Sequence, residues 1–204
     1  MISRNARITL AGAAAIGAAV LTTVAVQAQT PAPRVTPPPA PAAPFASTTV
    51  SFEVKNAAGA ALGTARIFQG NDGQVPGVVL HLELKGLPAG WHGMHFHNKA
   101  DCSAADFTSA GPHISMTTPV IHGFLMDNAN DFGDLPNVYA AADGSVNAEV
   151  FSPLVTVYPR ASDSRPALFD ADGSALVIHA NLDDYHTQPI GGAGARIACG
   201  MMKR

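Results

Sequence analysis

Charge is scarce in this sequence. Asp, Glu, Lys and Arg make up 13% of 204 residues, with 12 basic against 15 acidic side chains. No stretch gathers Lys and Arg into a patch, which argues against a nucleic-acid partner. Cysteine is scarcer still, at two residues, Cys102 and Cys199. Neither lies near the N-terminus, which argues against a lipid anchor there. Also missing is any window with convincing amphipathic helix periodicity.

What is present starts with a leader. MISRNAR carries Arg4 and Arg7, an apolar run follows from Ile8 to about Val26, and Val26-Gln27-Ala28 is a small-x-small cleavage pattern. Residues 1–28 therefore read as a secretory signal peptide, the alternative being an uncleaved membrane anchor. Once the leader is removed the protein has no membrane segment, and the expected location is the periplasm or the medium. Residues 29–46, QTPAPRVTPPPAPAAPFA, are Pro/Ala-rich and cannot build a core; they read as an extended spacer. Residues 47–204 remain, one domain's worth of chain with ample length for a core. Without Arg4 and Arg7 the net charge is −5. In an exported chain the two cysteines are oxidised by default. A bridge between them would close a long loop, a constraint of about 4–5 kcal/mol in the chain-entropy model.

Seven short segments alternate apolar and polar residues and read as strands: 48–55, 63–69, 78–85, 91–97, 145–151, 174–179 and 196–202. Turn signals separate them, at Asn71-Asp72-Gly73, Gly86-Leu87-Pro88, Asp143-Gly144 and Asp172-Gly173. The expected class is all-β, a Greek-key sandwich or barrel of about eight antiparallel strands. Two stretches, about 98–137 and 180–195, are too long for hairpin loops and favour function.

The segment GWHGMHFH (90–97) holds three of the eight histidines. On a strand His95 and His97 share a face, about 7 Å apart, and can converge on one ion. His92 has the opposite parity and is expected to pack or bond the backbone. Taken alone, the pair is equally an exposed His-x-His with no ligand. His113, His122, Asp131 and Asp134 follow in the first long loop, and His179 ends a strand.

Together, GWHGMHFH (90–97), DCSAADFTSAGPH (101–113), IHG (121–123), FGDLPN (132–137), LVIHANLDD (176–184) and GAGARIACG (192–200) resemble the copper/zinc superoxide dismutase family. Residues 47–89 fit the family's opening strands without a sharp motif. The resemblance implies copper on His95, His97, His113 and His179; four imidazoles suit Cu(II) on chemical grounds as well. It implies that His113 bridges copper to zinc and can accept a proton, and that His122 and Asp134 are further zinc ligands. Asp131 stands where the family pattern has a histidine. Carboxylate oxygen is a legitimate zinc ligand, so three outcomes are open: zinc on Asp131, zinc held weakly by three ligands and water, or no zinc. His186 is a remote substitute.

By the same resemblance Asp183 supports His95 and His122 from behind. Arg196 draws the superoxide anion toward copper, a role a net-negative protein needs, and no lysine in 185–195 shares it. Cys102 and Cys199 tether the metal loop to the last strand. Asp184 and His81 read as surface residues. The implied activity is dismutation of superoxide to oxygen and hydrogen peroxide. Two rivals stay open, a non-enzymatic periplasmic copper store on the same fold and a β-sandwich that has lost its metals. A homodimer is open too, since no self-complementary patch is identifiable.

Overall fold

A computed structural model describes residues 47–70, 76–160 and 164–203. The leader, the spacer and the Asn71-Asp72-Gly73 turn lie outside the described residues. Nine strands run through the described chain: β1 Ser47–Asn56, β2 Ala61–Gly70, β3 Val78–Lys85, β4 Gly90–His92, β5 Met94–His97, β6 Val138–Ala140, β7 Ser145–Ser152, β8 Ser174–His179 and β9 Arg196–Met202. The only described helix is a 3-10 turn at Thr108–Ala110. Seven strands form one antiparallel sheet in the order β5-β8-β9-β1-β2-β3-β7, and β4 pairs with β6. The all-β expectation holds, as a curled antiparallel sheet.

The alternation seen in the sequence becomes an inside and an outside. In β3, Val78, Leu80, Leu82 and Leu84 enter the core, while Glu83 and Lys85 are exposed. Burying each of these leucines contributes about 2 kcal/mol. They share one core cluster with Ile67, Phe96, Leu135, Leu176 and Ile178. His81 lies on the opposite face from these leucines, against Glu149 at 3.3 Å.

Strand β8 departs from alternation, because all six of its residues are buried. Leu176 and Ile178 face the main core, whereas Ala175 and Val177 pack with Phe107, Ala110, Cys102 and Cys199 on the other face. The start of the first long loop therefore lies across the outside of β8 and β9. The Cys102–Cys199 disulfide fixes it there, 97 residues apart in sequence.

Two details differ from the sequence reading. The run 91–97 is not one strand. At Gly93 the chain leaves β4 and enters β5 in the other sheet, and Gly93 bonds instead to Asn181 and His179 of the opposing segment, at 2.8 and 2.9 Å. A side chain at Gly93 would press on Ala193 and Asp183, which is why only glycine allows this approach. The short strand β6 has no alternation long enough to mark it; its pairing with β4 defines it.

Candidate metal centre

His95 and His97 lie on β5, as the strand parity requires, with ring centroids 6.5 Å apart. His179 ends β8, the neighbour of β5. A register shift after Ile178 sets Arg196 opposite His179. His113 is brought alongside β5 by an isolated bridge to His97. Thus two strands and one loop deliver four imidazoles to one place.

Each of these rings is buried, and each has one nitrogen held by the protein. His95 Nε2 donates to Asp183 Oδ2 at 2.9 Å, His97 Nδ1 to the Gly111 carbonyl at 2.8 Å, and His179 Nδ1 to the Gly194 carbonyl at 3.0 Å. His113 Nδ1 faces Asp131 Oδ2 at 2.6 Å. The other nitrogens, His95 Nδ1 and the Nε2 atoms of His97, His113 and His179, are buried with no hydrogen-bond partner. One ligand atom from each of the four lies within 4.8 Å of the rest. An unpartnered buried polar atom costs about 1–3 kcal/mol. Four of them converging could hold a metal ion, whose bonds from imidazole nitrogen are about 2 Å.

Electrostatics keeps three of these rings, His95, His97 and His179, neutral. Burial lowers the pKa of His95 to about 3, of His97 to about 2 and of His179 to about 4, outweighing the hydrogen bonds that oppose it. Neutral imidazole is the form that binds a metal.

A second cluster adjoins the first. His113 Nδ1 is 2.6 Å from Asp131 Oδ2 and 3.9 Å from Asp134 Oδ1; His122 Nδ1 is 3.4 and 2.6 Å from the same oxygens. Tetrahedral zinc with bonds near 2 Å has donor–donor edges of about 3.3 Å, and these four values straddle that. His122 Nδ1 and Asp134 Oδ1 face each other without hydrogen-bond geometry, as co-ligands of one ion do. The spare carboxylate oxygens are occupied, Asp131 Oδ1 by the Gly133 N–H at 2.9 Å and Asp134 Oδ2 by the Gly123 N–H at 2.7 Å. His95 also falls within 4.8 Å of His113, His122 and Asp134. Its Nε2 is taken by Asp183 and its Nδ1 faces the first cluster, which leaves Asp131, 2.6 Å from His113 Nδ1, as the candidate for the fourth place in the second set.

Burial disfavours charge on His122, yet Asp131, Asp134 and Asp183 raise its pKa to about 11. Asp131 is held well below the usual carboxylate range, because the His113 bond and the nearness of His122 outweigh its burial. Asp183 is the fixed point between the clusters: Oδ2 receives His95 and Oδ1 receives His122 at 3.1 Å. Its own backbone is tied to Asn137, and the Tyr185 N–H bonds Oδ1 at 2.7 Å.

Arg196 lies with its guanidinium on the first loop, donating to the carbonyls of Phe107 at 2.6 Å and Gly111 at 2.9 Å. Its positive charge is felt at His97 and His179. His92 is buried and bonds the backbone of His179 and Pro88. His186 is exposed and outside both clusters, and the Asp184 side chain caps the turn at His186 and Thr187. Sequence reasoning missed the carbonyls of Gly111 and Gly194, since a main-chain acceptor leaves no side-chain signature.

A curled antiparallel sheet carrying a four-histidine cluster that adjoins a two-histidine, two-aspartate cluster fits a class of protein able to hold two metal ions side by side. The model of one family, copper/zinc superoxide dismutase (SODC), matches residues 61–202. A Cu-Zn superoxide dismutase of Caulobacter vibrioides is 59% identical over 127 residues, 62% of this chain and 72% of that protein. Another, from Aquifex aeolicus, is 36% identical over 74% of this chain and 84% of its own. The crystal structure of a SOD-like protein from Bacillus subtilis aligns with a TM-score of 0.66 at 34% identity, covering 74% of this chain and 96% of that one. The chain belongs to the copper/zinc superoxide dismutase family.

Proposed function

We propose that the protein is an exported superoxide dismutase with copper on His95, His97, His113 and His179, and zinc on His113, His122, Asp131 and Asp134. One observation carries this reading: four buried, partnerless imidazole nitrogens converge while their opposite nitrogens are individually anchored. Copper bound there supplies the one-electron couple needed to turn two superoxide anions and two protons into oxygen and hydrogen peroxide.

The chain's own part is attraction, orientation and proton supply. Arg196 places a positive charge beside His97 and His179 in a protein of net negative charge, drawing in a small anion. Asp183 and the carbonyls of Gly111 and Gly194 fix the ring orientations and raise the basicity of the free nitrogens. His113 faces both clusters, one through each ring nitrogen. Its Nε2 is the position at which a proton can be held next to the product anion. Asp131 serves as the fourth zinc ligand through Oδ2.

Residues 1–28 act as a cleaved export signal and 29–46 as a spacer, and the disulfide suits an oxidising compartment. Arg196 speaks against a passive copper store, which has no need of an anion guide. The test is elemental analysis of the full chain together with steady-state superoxide removal. One copper and one zinc per chain with catalytic turnover is expected. Stoichiometric copper without turnover would favour storage and overturn the enzymatic reading.

A further inference from the structure

Three of the four copper-type histidines are braced by groups that owe nothing to a second metal: Asp183, the Gly111 carbonyl and the Gly194 carbonyl. His113 is the exception. Its Nδ1 points into the zinc-type cluster, so in a zinc-free protein that nitrogen needs another partner or the ring is loose. Among the described residues one carboxylate lies within hydrogen-bond distance of it, Asp131 at 2.6 Å; Asp134 is at 3.9 Å.

Asp131 is itself immobilised. Its Oδ1 takes the N–H of Gly133 two residues on, which turns Oδ2 toward His113. The backbone around it is stitched to the His113 segment and to β5: Phe132 and Gly133 donate to the Ile114 carbonyl, Ile114 to the Phe96 carbonyl and Phe96 to the Gly133 carbonyl, all between 2.8 and 3.1 Å. Gly133 has no room for a side chain against Phe96 and Ile114. Acceptor and ring are thus held together by main-chain bonds, with no ion required. An ionised carboxylate is also a stronger acceptor for an imidazole N–H than a neutral ring would be, by about twofold.

We propose that Asp131 is a positioning residue that keeps His113 aimed at copper when zinc is absent, so that the copper site assembles without the second metal. The inference rests on the ligand assignment above and adds to it a zinc-independent role for one of those ligands. Its consequence is that the His113–Asp131 hydrogen bond stands without a metal inside the two-His, two-Asp cluster.

The experiment uses the full chain freed of zinc by chelation and titrated with Cu(II) alone. Copper affinity and the electron paramagnetic resonance spectrum are read for the unaltered protein and for Asp131→Ala, or Asp131→Ser should alanine prevent folding. The unaltered protein is expected to show a four-nitrogen copper signature. The variant is expected to bind copper at least tenfold more weakly, with altered g∥ and A∥. A zinc-free variant matching the unaltered protein in both would overturn the proposal. A separate zinc titration isolates the underlying assignment. Undiminished zinc binding in the variant would remove Asp131 from the zinc ligands, even if the copper spectrum changes as expected.

Discussion

Arg196 and His97 share one acceptor. The Gly111 carbonyl receives Arg196 Nη2 at 2.9 Å and His97 Nδ1 at 2.8 Å. The proposed anion guide and a proposed copper ligand are thereby registered on the same atom. Gly111 adopts φ 77°, and a side chain there would run into Asn98, so the carbonyl is presented by a glycine-specific turn.

This arrangement separates guidance from ligation. In Arg196→Met, His97 keeps its bond to Gly111, so copper content should stay near one per chain. The second-order rate constant for superoxide should fall about tenfold or more, and its dependence on ionic strength should flatten. Pulse-radiolysis rates at several salt concentrations check this. An unchanged rate would mean that Arg196 only fastens the loop.

Gly191 covers Asp183. At φ 60° it occupies the left-handed region, and a Cβ there would fall on Asp183 Oδ1 and press on His122 Nε2. Gly191→Ala should cost about 1–2 kcal/mol from the backbone alone. Displacing Asp183 adds to that and loosens both His95 and His122. A melting temperature lowered by roughly 4–8 °C at about 2 kcal/mol, with copper and zinc lost at lower chelator concentration, is the expected result. Unaltered metal retention would show that the bridging carboxylate is dispensable.

Much of the candidate centre is legible in the sequence because its proposed ligands are side chains with strong local signals. His95 and His97 follow from strand parity. His113, His122, Asp134 and His179 stand out only by their order along the chain, and that order is what the family resemblance uses. The break at Gly93 was not legible, because it depends on the approach of Asp183 and Ala193 from distant sequence. Nor was the full burial of β8: Ala175 and Val177 look no different from any small apolar pair until the disulfide-pinned loop covers them. The bonds to Gly111 and Gly194 are made by main-chain oxygen, which every residue carries.

The same loop sets the third prediction. Phe107 and Ala110 pack on Ala175, Val177 and the disulfide, while Arg196 ties the loop by two more bonds. Replacing both Cys102 and Cys199 with alanine removes the constraint on a chain separation of 97 residues. The unfolding free energy should fall by about 4–5 kcal/mol in the chain-entropy account. Denaturant titration with matched metal content measures it. A loss below about 1 kcal/mol would show that the apolar cluster and Arg196 suffice.

Acid sensitivity of the metal-free protein follows from the copper trio. Burial holds His95, His97 and His179 at about 3, 2 and 4, against an ordinary 6.5. As pH falls below 6.5 the unfolded chain takes up protons that the folded chain refuses. Stability from these groups is therefore fully present above that pH and is lost toward their native values. Each contributes a slope of about 1.4 kcal/mol per pH unit, so three give about 4. His122 has the opposite sign: raised to about 11, its contribution is complete below 6.5 and disappears only as pH rises toward 11. It cannot produce an acid slope. Denaturant unfolding of the metal-free chain from neutral pH down to about pH 5 should show the steep decline. A metal-free protein equally stable across that range would mean the three rings are open to water, and the dry four-imidazole pocket would not exist.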